Sequence, residues 1–177
     1  MKATGIVRRI DDLGRVVIPK EIRRTMRIRE GEPLEIYVDR EGEVILKKYS
    51  PINELGEFAK EYADSLHEAL GHVVCIADRD EIIAVSGGPK KDLLRKPIST
   101  ILEEMINNRQ TRIIEETHSI ISDDRVQFKN SVISPIVANG DAIGAVIITS
   151  SEDVRMGDLE KKLAETAASF LAKQMEE

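Results

Sequence analysis

The tightest constraint on this chain lies in its first 50 residues, which are too few to bury a core of their own. They read as four short strands, over 5–10, 15–18, 34–39 and 43–49, and one helix over 20–26. Asp11-Asp12-Leu13-Gly14 supplies the first turn, Pro19 opens the helix, and Arg40-Glu41-Gly42 closes a second hairpin. A unit of this size is stabilised by a disulfide, a metal or a second chain. The sole cysteine, Cys75, lies outside it, and no metal-ligand spacing is present. A second copy remains. Residues 1–50 are therefore expected to form an obligate dimer whose strands interlock around one shared core.

Charge points to what such a dimer would touch. The chain of 177 residues carries a formal net charge of −6. Residues 1–29, however, hold nine Lys and Arg against three Asp and Glu, a local net of +6. A basic cluster on an acidic chain is a nucleic-acid signal that the overall charge hides. Aromatic residues are 3% of the chain, with no Trp, which argues against a base-stacking platform. A lone cysteine fits a reducing compartment. The first residues, MKATGIVRRIDD, lack the apolar run of a signal peptide, and no stretch approaches the roughly 18 apolar residues of a membrane span. A cytoplasmic location is the expectation.

Beyond residue 50 the period changes. Ile52, Leu55, Ala59, Tyr62, Leu66 and Ala69 follow heptad spacing over a helix at 51–70, with Ser50 as its cap and Pro51 at its first position. Strands follow at 72–78 and 81–86, and a loop or short helical turn at 87–96. A helix comes next at 97–108, with Thr100 and Glu103 as a capping box, then a short strand at 110–115 and a polar loop at 116–129. Strands at 130–138 and 142–150 flank Asn139-Gly140, a strong hairpin signal. A helix at 153–174 ends the chain. This order describes an α+β domain over 51–177, with one antiparallel sheet and flanking helices mainly on one side.

The stretch TGIVRRIDDLGRVVIPKEIRRTMRIREGEPLEIYVD closely resembles the AbrB family of bacterial transition-state regulators, over all of residues 1–50. The resemblance implies a swapped-hairpin β-barrel dimer that binds double-stranded DNA. The order of elements after residue 50 resembles a GAF domain, which implies a sensor and oligomerisation role and allows for a small-molecule ligand. The two halves together resemble the sporulation regulators of spore-forming bacteria. That likeness implies an activator and repressor of late genes, nucleoid-associated and in the forespore; no residue encodes the developmental role.

Arg8, Arg15, Arg23 and Arg24 match the family's DNA-contacting positions. The chemistry agrees with this. Arg8 and Arg15 flank a tight turn, and Arg23 and Arg24 sit on the short helix. A guanidinium fork suits phosphates and guanine edges. Across a two-fold axis these groups repeat, giving roughly eight phosphate contacts and a log–log salt slope of roughly −7. A two-turn helix cannot read a major groove at length, so relaxed sequence preference is expected. Lys2, Arg9, Lys20, Arg27 and Arg29 are secondary, and Asp11 and Asp12 serve to orient arginines or satisfy the turn.

No catalytic constellation, metal site or cofactor motif is found. His67, His72 and His118 are scattered, Gly87-Gly88-Pro89-Lys90-Lys91 lacks a phosphate-loop pattern, and Cys75 sits in a strand run as a core residue. The helices 51–70 and 153–174 bracket the second domain and are expected to pair between chains, making a tetramer from two swapped dimers. An antitoxin-like protein, with a related barrel, is the competing class. It would carry a disordered tail where this chain has a folded domain.

Overall fold

The computed structural model describes residues 4–176, so Lys2 lies outside the described residues. The chain divides into two compact units, Met1–Tyr49 and Ser50–Glu177.

The first unit holds helix α1 (Lys20–Thr25) and strands β1 (Leu34–Val38) and β2 (Val44–Lys48). The strands pair antiparallel, Leu34 opposite Lys48 and Val38 opposite Val44. Asp39 shapes their turn, its Oδ1 accepting the Glu41 and Glu43 N–H groups at 3.0 and 2.9 Å. The strands expected at 5–10 and 15–18 do not form within the single chain, and no barrel closes among the described residues. A strand exists only as one side of a ladder, and the β1–β2 hairpin pairs only with itself. The apolar residues of these segments face outward: Val7 is 90% exposed, Ile10 and Val17 69% each, and Val38 on β1 74%.

Inside this unit Glu32 ties the end of α1 to the hairpin. Its carboxylate accepts the Arg29 N–H at 2.7 Å and pairs with Lys48 Nζ at 3.1 Å, while Lys48 also donates to the Arg27 carbonyl at 3.0 Å. Arg29 lies 3.8 Å from the same carboxylate. Arg27 and Arg29 are thus bound up with the fold.

The second unit begins with α2 (Pro51–Glu54) and α3 (Gly56–Leu70). The single helix expected over 51–70 is broken at Leu55. Ser50 also does not cap it: its hydroxyl donates instead to Asp78 Oδ2 at 2.9 Å. Then come β3 (Val73–Asp78), β4 (Ile82–Ser86), α4 (Lys90–Leu93), α5 (Thr100–Asn108), β5 (Arg112–Ile114), β6 (Asn130–Ala138), β7 (Asp141–Ser150) and α6 (Asp158–Gln174). The five strands form one antiparallel sheet in the order β4-β3-β7-β6-β5. Asn139 and Gly140 take the left-handed conformation, φ 50° and 84°, that a tight β6–β7 hairpin needs.

Helices cover both faces, not mainly one. Val74, Ile76, Val146 and Ile148 face α3 and α6, while Cys75, Ala77, Ala145 and Ile147 face the layer that holds Leu93, Leu102 and Ile106 of α4 and α5. The reason lies in the strands: β3 and β7 are apolar on both sides, so both sides must be covered. The 116–129 segment, expected as a polar loop, is irregular, yet it buries Ile120, Ile121 and Phe128 in that second layer. Ser99, one residue before the expected Thr100, caps α5, its hydroxyl accepting the Leu102 N–H at 3.2 Å. Helix α6 starts at Asp158 rather than 153, where Glu160 reaches back to the Gly157 N–H at 2.7 Å.

Candidate nucleic-acid interface

The turn that carries Arg15 is built by one side chain. The Gly14 N–H donates to the Asp11 carbonyl, and the Asp11 N–H to the Arg15 carbonyl, both at 3.1 Å. Asp11 Oδ1 accepts the Leu13 and Arg15 N–H groups at 3.0 and 2.8 Å, and Oδ2 accepts Arg15 Nε–H at 2.8 Å. The Arg15 backbone N–H, and after it the guanidinium, holds the Asp11 carboxyl below its ordinary range. Asp11 therefore does both things expected of it: it satisfies the turn and it orients an arginine.

Arg23 and Arg24 occupy the last turn of α1, where cations suit the negative end of the helix. Pro19 is buried and sits just before the helix, its carbonyl accepting the Arg23 N–H at 3.0 Å. Arg8 precedes the Asp11 turn. All four arginines are exposed, and among the described residues Arg8, Arg23 and Arg24 form no ion pair. Arg15 stands on the turn, Arg8 in the segment before it, and Arg23 and Arg24 on the helix. Arg9 and Lys20 are exposed as well.

In the second unit the histidines have local partners. His67 Nδ1 lies 2.7 Å from the His72 carbonyl oxygen, and His72 Nε2 lies 3.9 Å from Glu160. His118 is buried: Nδ1–H donates to the Glu116 carbonyl at 2.7 Å, and Nε2 lies 2.7 Å from Ser131 Oγ, which is 2.6 Å from Thr149 Oγ1. Nothing in the sequence pattern signalled this chain of contacts, because its members are far apart in sequence. Cys75 is fully buried, and burial pushes its thiol up to about 12. A cleft of about 370 Å³ opens beside α5 and β5, lined by Ile101, Met105, Ile113, Glu115, Glu116 and His118. Among the described residues no helix is long and apolar enough to cross a membrane.

Residues 54–176 match the family described as stage V sporulation protein T C-terminal, transcription factor. The chain belongs to the stage V sporulation protein T family. Stage V sporulation protein T of Bacillus subtilis (strain 168) is 62% identical across the full length of both chains. Residues 7–54 match the model described as antidote-toxin recognition MazE, bacterial antitoxin. The transition state regulatory protein AbrB of the same organism is 67% identical over 51 residues, 29% of this chain and 52% of that one. Among solved structures, the GAF domain from an Acinetobacter phosphoenolpyruvate-protein phosphotransferase superposes with a TM-score of 0.58 at 9% identity, over 71% of this chain and 87% of that one. At that identity the likeness speaks for the fold alone. This member of the family thus joins an AbrB-like N-terminal unit to one with a GAF-like fold.

Proposed function

We infer that this chain, a transcription factor of the stage V sporulation protein T family and not an enzyme, binds double-stranded DNA through Arg8, Arg15, Arg23 and Arg24. The observation that carries the reading is the set of exposed guanidinium groups on the turn, in the segment before it and on α1, three of them without a carboxylate partner among the described residues. Unpaired arginines at the surface of an acidic chain are ready to neutralise phosphates. The outward-facing Val7, Ile10, Val17 and Val38 support a swapped dimer, since a second copy would cover them and complete the barrel. The dimer would present each arginine twice.

The 67% identity to a transition state regulatory protein supports the same assignment. The regulated genes are taken to be late sporulation genes of the forespore, activated or repressed in the nucleoid of the cytoplasm, as the full-length likeness to a sporulation protein supports. Two such dimers would join into a tetramer through the second unit. The heptad stripe does not supply that contact: its Ala59 and Leu66 pack on their own sheet. What remains for a second copy is the outer side, where Phe58 is 50% and Leu159 62% exposed. A small-molecule ligand of the GAF-like unit would have the cleft beside α5 and β5.

The test is DNA binding across a salt series by the full protein and by the Arg8/Arg15/Arg23/Arg24 quadruple Ala variant. The reading expects a log–log slope of roughly −7 that collapses in a folded variant. Equal binding by the variant would return the N-terminal unit to the antitoxin-like reading that its family-model match favours.

A further inference from the structure

We infer that Asp11 is a positioning residue for Arg15, and that it sharpens the protein's choice among DNA sequences rather than adding affinity. The inference rests on Arg15 being part of the DNA face.

A carboxylate beside phosphates costs attraction, yet Asp11 stands in a stretch of residues 1–29 with net charge +6. The turn does not require that charge. Oδ1 alone accepts the Leu13 and Arg15 N–H groups, and a neutral amide oxygen could do the same. Only the bond from Arg15 Nε–H to Oδ2, at 2.8 Å, needs the second carboxylate oxygen. The pair is exposed, with the Arg15 side chain at 69%, so it contributes little to folding. Its effect falls on the guanidinium. With Nε–H engaged, the terminal torsion is held, and the N–H groups of Nη1 and Nη2 remain to be offered to a partner. Arginine loses much side-chain freedom on binding, and holding it beforehand removes part of that cost.

Arg8, Arg23 and Arg24 form no ion pair among the described residues. They are suited to tolerant phosphate contacts. Arg15 alone of the four is held in one pose, which suits a contact that depends on position. Asp12 is the internal control, an exposed carboxylate on the same turn that forms no ion pair among the described residues.

The experiment uses the full chain and two probes: a duplex enriched from a random pool by the wild type, and the unenriched pool. Asp11→Asn keeps the turn acceptor and removes the charge. It is expected to weaken binding to the enriched duplex about two- to five-fold, the range an exposed pair supports, and to leave pool binding unchanged or tighter. Asp12→Asn, which removes the same charge, should tighten both. In an Arg15→Ala background Asp11→Asn should no longer weaken anything. Loss of affinity that persists without Arg15, or an Asp11→Asn variant with unaltered discrimination, overturns the inference while leaving the DNA face intact. An Arg15→Ala variant that binds the enriched duplex as the wild type does removes Arg15 from the face, and the inference with it.

Discussion

Gly144 is a position where one added methyl group meets the backbone of the neighbouring strand. A Cβ built there would lie 2.1 Å from the Ala77 carbonyl oxygen, 3.2 Å from the Ala77 carbonyl carbon and 3.3 Å from Asp78 Cα. All three are backbone atoms of β3, opposite Gly144 in the β3–β7 ladder. An ordinary carbon–oxygen contact is about 3.3 Å, so the strands would have to part by roughly 1 Å. That carries the nearest ladder bonds past hydrogen-bonding range. Two such bonds at about 1 kcal/mol each, with about 1–3 kcal/mol for overpacking, give a cost of about 3–5 kcal/mol. Asp78 stands to lose as well, because its carboxylate accepts the Asp80 and Glu81 N–H groups at 2.7 and 2.8 Å and the Ser50 hydroxyl. Gly140→Ala is the comparison. Its Cβ meets open space, and only the left-handed φ of 84° is strained, for about 1–2 kcal/mol. Hydrogen exchange of the β7 amides, followed through a urea titration, isolates this sheet from the N-terminal unit. A loss below about 1 kcal/mol for Gly144→Ala, or one equal to that of Gly140→Ala, would refute the steric argument.

Glu32→Gln should destabilise the N-terminal unit by about 1–3 kcal/mol, because it strips the charge that faces Lys48 and Arg29 from a side chain only 6% exposed. A thermal melt at fixed protein concentration with an unshifted midpoint would count against it. Cys75, buried and with its thiol pushed up to about 12, should react with a thiol reagent only as fast as the sheet opens; immediate labelling of the native protein would contradict that burial. The Arg125 guanidinium, and after it the Arg125 backbone N–H, lowers the Asp123 carboxyl from an ordinary 3.8 to about 2. The pair's contribution is therefore full above pH 3.8 and is lost as pH falls toward about 2. Carboxyl NMR shifts should show a midpoint near that lower value, and Arg125→Ala should return it to the ordinary range.

The order of elements was legible because local rules carry it. Asn139-Gly140 requires left-handed backbone, and the near-continuous apolar runs of β3 and β7 mark them as strands. The arginine set proposed for DNA comes from the family motif, for nothing in composition distinguishes Arg8 from Arg9. Three things were not legible. Segments 5–10 and 15–18 have strand composition, but a strand needs a neighbour, and one chain offers none. The 51–70 stripe has coiled-coil spacing, but the same spacing packs a helix on a sheet, and Ala59 and Leu66 do so. The apolar residues within the polar 116–129 segment gave no period, so their burial against α5 could not be foreseen.

By itself the sequence determined two units, the local chemistry of each turn and a basic N-terminal stretch. These follow from neighbours along the chain and from residue counts. Tertiary structure decided what depends on residues distant in sequence. It closed α4 and α5 over the second face of the sheet, brought His118 to Ser131 and Thr149, drew Ser50 to Asp78, and pressed Gly144 against Ala77. Long-range contacts are selected by how side chains fill shared space, and a linear pattern carries the period of an element without naming what it will touch.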